Sequence, residues 1–172
     1  MIFITGGCRS GKSRYALHYA NQNFSKKLFL ATSEVLDEEM VRRIENHKKV
    51  RGPEWQTIEE PIEIVKKIRK YGRNGEVILI DCLTLWLYNL LMKWDNDLRI
   101  IDETEKLINI IKQSQTSFIL VSNEVGMGIV PADPLSRRYR DLLGTMNQRI
   151  AEALDTVIFM VSGIPLFLKG KE

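Results

Sequence analysis

Apolar residues in this chain follow two alternating patterns. Short, nearly uninterrupted apolar runs bounded by glycine, proline or an acid alternate with longer stretches in which apolar positions recur every three or four residues. The runs Ile2–Thr5, Leu28–Thr32, Val77–Asp81, Phe118–Ser122 and Thr156–Val161 predict strands buried on both faces. Gln56–Ile58 predicts a short strand. Leu166–Lys169 predicts a last one, split from Thr156–Val161 by Gly163 and Pro165. Between them the spacing predicts helices over Ser13–Asn23, Asp37–Val50, Pro61–Lys70, Leu83–Trp94, Leu98–Ser114 and Leu135–Leu154. Asp37 and Asp97 are expected as N-caps, and Pro61 suits a first helical turn. Inward faces are expected at Ala16, Leu17 and Ala20, at Ile62, Val65 and Ile68, and along Leu135, Tyr139, Leu142, Met146, Ile150 and Leu154. Apolar strands alternating with amphipathic helices define an α/β fold, a mainly parallel sheet with helices on both faces.

Length and charge narrow this picture. The 172 residues suit a single domain, 1–172, and no linker, repeat or low-complexity tract divides them. Lys and Arg number 25 against 22 Asp and Glu, a net charge of +3 that gives no reason to expect a nucleic-acid partner. The longest apolar-leaning stretch, Leu83–Met92, is broken by Thr84 and Asn89 and is too short to span a membrane. The opening Met-Ile-Phe-Ile-Thr-Gly-Gly lacks the basic segment and cleavage site of a secretory signal. Cys8 and Cys82 make neither a disulfide framework nor, by themselves, a zinc site. Free thiols and a cytoplasmic location are therefore expected.

Candidate chemistry begins where the first strand ends. Gly6-Gly7-Cys8-Arg9-Ser10-Gly11-Lys12-Ser13 fits G-x-x-x-x-G-K-[ST], the phosphate-binding loop, or P-loop. It lies between a predicted strand and a predicted helix, as the mechanism requires. Glycines let the chain turn so that its amides face one centre, and the helix N-terminus adds partial positive charge there. Lys12 can reach the β- and γ-phosphates of a nucleotide, and the Ser13 hydroxyl can ligate Mg²⁺. Asp81 is the expected partner for that metal, because it ends a run of four apolar residues at the strand edge where α/β sheets bind ligands. The alternative for Asp81 is a cap on the following helix.

The remaining motifs separate nucleotide proteins from one another. The motifs argue against a GTPase switch: the only D-x-x-G, Asp141–Gly144, falls inside a predicted helix, and no N-K-x-D occurs. His47 shares a helical face with Met40 and Ile44, flanked by Arg42, Arg43, Lys48, Lys49 and Arg51. Two readings of His47 stand side by side. It is either a half-buried core histidine on a solvated basic helix, or an imidazole nucleophile among phosphate-binding cations that would also help keep it unprotonated. His18 has no comparable setting and is expected at the surface or in packing. Glu124, just past the Phe118–Ser122 strand, is a candidate kinase base or a loop hydrogen-bonding group.

With these residues in view, the chain resembles the bifunctional adenosylcobinamide kinase/adenosylcobinamide-phosphate guanylyltransferase family of cobalamin biosynthesis. The carrying segments are Thr5–Ser13, Ala31–Ser33, Asp37–Met40, Arg43–His47, Trp55–Thr57 and Asp81–Trp86. They continue with Asn123–Pro131, Arg140-Asp141, Asn147–Arg149 and Val161–Gly163, and Asn123-Glu-Val-Gly-Met-Gly-Ile-Val-Pro131 is the most discriminating. The resemblance implies a RecA-like P-loop fold, usually a homotrimer. It implies phosphorylation of adenosylcobinamide by ATP or GTP, then GMP transfer from GTP through a histidine to adenosylcobinamide phosphate. It places His47 as the guanylylated residue and Thr32, Ser33, Lys48, Arg51 and Glu59 as nucleotide contacts, beside Gly6, Gly7, Cys8, Arg9, Ser10, Gly11, Lys12, Ser13 and Asp81. One departure is Gly52, inserted between Arg51 and Pro53 where many relatives have Arg-Pro directly. Two other readings remain: a single-activity P-loop kinase with a structural His47, and a non-catalytic nucleotide-dependent interaction module.

Overall fold

The computed structural model describes residues 1–33, 52 and 54–171. Within them the chain forms β1 (Ile2–Gly6), α1 (Lys12–Asn23), β2 (Lys27–Ala31), β3 (Trp55–Glu59), α2 (Ile64–Tyr71), β4 (Val77–Asp81), α3 (Leu83–Trp94), α4 (Asp97–Lys112), β5 (Ser117–Val121), α5 (Pro134–Ala153), β6 (Thr156–Val161) and β7 (Ile164–Lys169). The predicted helix Asp37–Val50 lies outside the described residues.

Seven strands form one sheet in the order β3-β2-β4-β5-β1-β6-β7. Every neighbouring pair is parallel except β6–β7, an antiparallel hairpin. Side chains alternate across the sheet, so one sequence run feeds two cores. Phe3, Leu28, Leu30, Ile78, Ile80, Phe118 and Leu120 face the layer made by α2, α3, α4 and α5. Ile2, Ile4, Phe29, Ala31, Leu79, Ile119 and Val121 face α1 through Ala16, Leu17 and Ala20. This double burial is why β1, β2, β4 and β5 are apolar at nearly every position.

Trp86 is the largest side chain wholly enclosed in the four-helix layer. Its indole N–H donates to the carbonyl of Ile62 at 2.9 Å, so α3 is joined to the entry of α2 by a hydrogen bond as well as by packing. Beside it, the buried Asn89 amide donates to the carbonyls of Thr32 (2.8 Å) and Pro61 (3.1 Å). A buried carbonyl without a partner is costly, so this one amide fixes the chain exits of both β2 and β3.

Several element ends differ from the pattern-based expectation, each for a local reason. The α4 cap is Asn96, whose side chain accepts the Arg99 N–H at 3.1 Å; Asp97 instead sits in the first turn. Helix α2 starts at Ile64 rather than Pro61, because the Glu60 carboxylate accepts the N–H groups of Ile62 and Glu63 and holds a turn there. Strand β7 begins at Ile164 and includes Pro165, tolerated because β7 is the sheet edge and its outer side needs no ladder donor. Leu135, expected inward, is exposed in the first turn of α5, whereas Leu142, Met146 and Ile150 are buried as their spacing predicts.

Replacing Trp86 with Ala would leave a cavity and an unpaired Ile62 carbonyl. Urea unfolding is expected to show a loss of about 3–5 kcal/mol; a loss below about 1 kcal/mol would contradict the packing described.

Candidate active site

Strand β1 ends at Gly6 with φ 146°, and a Cβ there would lie 2.4 Å from the Met160 carbonyl oxygen of β6. Only glycine fits that approach. The loop then turns tightly, with Ser10 N–H donating to the Gly7 carbonyl at 3.3 Å and Arg9 in the left-handed region at φ 55°. Gly11, at φ 97°, is the N-cap of α1 and supplies no side-chain cap. The first amides of a helix have no intrahelical acceptor, so an uncapped start is a donor-rich, electropositive end suited to an anion.

Lys12 opens α1 and folds back over the loop. Its Nζ donates to the carbonyls of Gly6 (2.9 Å) and Gly7 (2.6 Å) and approaches Ser10 Oγ at 3.4 Å. The side chain is buried, and that desolvation lowers its pKa, while the negative charge of nearby Asp81 acts in the opposite sense. The ammonium is thus held by neutral carbonyls, which phosphate oxygens can replace with charge-assisted bonds. The β6–β7 turn braces the loop from the other side: Gly163 N–H donates to the Ser10 carbonyl at 2.9 Å.

Asp81 stands at the C-terminal end of β4, in register with Ala31 of β2 and Val121 of β5. Cys82, not Asp81, occupies the N-cap position of α3. The adjoining backbone is held by Thr32, whose hydroxyl donates to the Cys82 carbonyl (2.7 Å) and accepts the Cys82 N–H (2.9 Å). Strand β5 leads into Asn123, whose N–H donates to Thr84 Oγ1 (2.7 Å) and whose carbonyl accepts from Asn147 Nδ2 (3.1 Å). Glu124 N–H then donates to the Gly6 carbonyl at 3.0 Å, joining this loop to the base of the P-loop.

These elements enclose a cavity of about 750 Å³ at the C-terminal edge of the sheet. That volume suits a nucleoside triphosphate. Cys8, Arg9, Ser10, Gly11, Lys12, Ser13, Ser33, Glu59 and Asp81 line it, so P-loop and acid meet across one space. Gly6 and Gly7 lie outside the lining and act on it through their carbonyls, which hold Lys12. Thr32 is fully buried and its hydroxyl is committed to Cys82, so it shapes the cavity from behind. His47, Lys48 and Arg51 lie outside the described residues. His18 is exposed on α1. The Glu124 carboxylate accepts the N–H of Gly126 within its own loop, and Glu124 is not in the cavity wall. Arg14, Thr84, Asn123 and Ser162 also line the cavity. Thr84, Asn123 and Ser162 fall in segments that carry the family resemblance, without an individual role there, and Arg14 directly follows the P-loop.

Among the described residues no cluster of three or more His, Cys, Asp or Glu side chains forms a metal cage. A hydroxyl and one carboxylate beside a phosphate cradle instead fit a Mg²⁺ ion that takes its other ligands from phosphate and water. No helix among the described residues is long and apolar enough to cross a membrane.

Comparison with known proteins agrees with this geometry. Residues 2–168 match the family described as cobinamide kinase / cobinamide phosphate guanyltransferase. The bifunctional adenosylcobalamin biosynthesis protein CobP of Pseudomonas aeruginosa is 44% identical over 168 residues, covering 98% of this chain and 96% of that protein. The corresponding protein CobU of Escherichia coli is 39% identical over 181 residues, covering 98% and 99%. Among solved structures, the type III secretion ATPase EscN of enteropathogenic E. coli superposes with a TM-score of 0.60 at 13% identity, over 94% of this chain and 42% of that one. The RadB recombinase superposes with a TM-score of 0.53 at 10% identity, over 92% and 73%. At such identities these two speak for the fold alone, a RecA-like P-loop arrangement.

The two cysteines at this site differ in environment. Both are free; Cys8 is exposed on the loop. Cys82 keeps some accessible surface, yet its thiol is desolvated and stands beside Asp81, which together push its pKa up to about 11. At pH 8 only about one Cys82 thiol in a thousand would be ionised. Iodoacetamide at that pH is expected to alkylate Cys8 and spare Cys82, read by peptide mass; equal labelling of both would contradict this environment.

Proposed function

This chain belongs to the cobinamide kinase / cobinamide phosphate guanyltransferase family, and from that premise we propose that it carries out both reactions on adenosylcobinamide. In the first, the γ-phosphoryl group of ATP or GTP passes to the hydroxyl of the aminopropanol arm, giving adenosylcobinamide phosphate and a nucleoside diphosphate. In the second, GTP gives up GMP to His47 and pyrophosphate leaves. The phosphate of adenosylcobinamide phosphate then attacks the histidine-bound phosphorus, the P–N bond breaks, and adenosylcobinamide-GDP is released. The observation that carries this reading is the convergence of the P-loop and Asp81 on one cavity in a chain matched to the family from residue 2 to residue 168.

In the kinase step the P-loop amides and the Lys12 ammonium bind the phosphate chain and oppose the charge that gathers on the moving phosphoryl group. Ser13 and Asp81 would hold Mg²⁺, which would supply positive charge against the phosphates. Ser33 and Glu59, across the cavity from the loop, are assigned to the nucleotide. In the transferase step, an imidazole suits the task because its phosphoramidate holds GMP yet yields it to a second nucleophile. Lys48 and Arg51, close to His47 in sequence, are assigned to phosphate binding. The free thiols and the nucleotide substrates suit the cytoplasm. The homotrimer is adopted from the family resemblance.

Lys12→Ala is expected to lower kinase turnover about a hundredfold or more; undiminished turnover would remove the P-loop assignment. With GTP labelled at the α-phosphate, the wild-type protein is expected to retain acid-labile, alkali-stable label after denaturation, and His47→Ala none. Label taken up equally by His47→Ala would exclude this nucleophile. A wild-type protein that turns over as a kinase but never labels would be a single-activity enzyme.

A further inference from the structure

The family reading leaves one motif without a task. The loop from Asn123 to Pro131 is anchored by many groups yet turns large apolar side chains into solvent. Arg140 donates to the carbonyls of Gly126 (2.6 Å) and Ile129 (3.2 Å), and Arg137 to those of Pro131 (3.0 Å) and Ala132 (2.6 Å). With Asn147 on Asn123 and Glu124 on Gly6, the loop is tied both to α5 and to the P-loop. Despite this, Met127 is 81% exposed, Ile129 96% and Val130 64%. A loop held so firmly could bury these side chains if stability were their purpose; adjacent exposed apolar groups instead mark a surface that binds something.

The sheet order decides which ligand arrives there. The P-loop strand β1 lies between β5 and β6. Asp81, which marks the metal and γ-phosphate side, stands on β4, beyond β5. The acceptor of the γ-phosphoryl group therefore approaches over the end of β5, where Asn123 lines the cavity and the loop begins. A cavity of about 750 Å³ has the size to take a nucleoside triphosphate. A corrin macrocycle cannot enter beside it; only the substrate's slender aminopropanol arm can, and the ring must rest on the rim. The loop leaves this edge at Asn123, is tied to the P-loop through the Glu124 N–H on the Gly6 carbonyl, and carries exposed apolar side chains that can meet the ring face.

We propose that the 123–131 loop is the corrinoid platform, with Met127, Ile129 and Val130 packing on the macrocycle while Asn123 marks the point where its arm enters the nucleotide cavity. This rests on the reading of the reaction given above and adds where its large substrate sits.

The test is steady-state kinase kinetics with adenosylcobinamide varied at saturating GTP. In a Met127→Ser/Ile129→Ser variant, KM for adenosylcobinamide is expected to rise about ten- to a hundredfold. Its kcat should stay within about twofold, with GTP affinity by equilibrium dialysis and particle mass by light scattering unchanged. Leu168→Ser, at an exposed apolar position on the β7 edge, is the comparison and should leave that KM as it is. If the double variant does not fold, Ile129→Ser alone carries the same expectation. An unchanged KM would overturn the platform while the reaction stands. A changed particle mass would assign the loop to a contact between copies and overturn it as well. A wild-type protein that does not phosphorylate adenosylcobinamide would overturn the reaction and the platform together.

Discussion

Gly6 passes so close to β6 that the Met160 carbonyl oxygen occupies the space any side chain would need. That contact sets the direction in which the chain leaves β1, and the P-loop can close only because it does. The Gly6 carbonyl is used twice, by Lys12 Nζ and by the Glu124 N–H, so the same residue that shapes the loop also registers the β5 exit against it. The phosphate cradle, its lysine and the neighbouring loop are thus three consequences of one backbone approach. From the opposite side the Gly163 amide holds the Ser10 carbonyl, leaving the loop gripped between the ends of β5 and β6.

Polar groups buried at this sheet edge serve backbone geometry more than chemistry. Thr32 clasps Cys82, Asn89 clasps Thr32 and Pro61, and Thr84 receives Asn123. Tyr139 in turn donates to the Thr84 carbonyl at 3.0 Å, and burial raises its pKa, so it stays a neutral donor. Each bond satisfies a carbonyl or amide that would otherwise be buried unpaired where strands give way to loops. Their combined effect is to hold Asp81, Asn123 and the P-loop in fixed relation, which phosphoryl transfer needs because its catalysis is largely positioning and charge stabilisation.

The buried lysine shows how such a site is kept ready. Lys12 is desolvated, which disfavours its charge, yet two carbonyls and nearby Asp81 offset that cost. A nucleotide that replaces the carbonyls with phosphate oxygens meets a cation whose desolvation has already taken place. The rim differs in character: beyond Asn123 the surface is apolar and firmly anchored, a second environment beside the first, suited to a substrate with a small reactive arm on a large ring.

Among the described residues, local patterns in the chain were sufficient to establish the strand–helix alternation, the inward face of α1 and that of α5 from Leu142 onward, the P-loop and the acid ending β4, because each depends on neighbours within a few residues. Boundaries governed by a single side chain were less legible. Asn96 rather than Asp97 caps α4, and Glu60 delays α2, since adjacent polar residues compete for the same amides. Tertiary structure alone decided that Thr32 works behind the cavity wall, that Asn123 and Ser162 stand in it, and that the Glu124 carboxylate turns into its own loop. Those outcomes depend on strand order. Once β5 lies between β1 and β4, residues more than a hundred positions apart share one edge, and no periodicity within the chain encodes which neighbours they meet there.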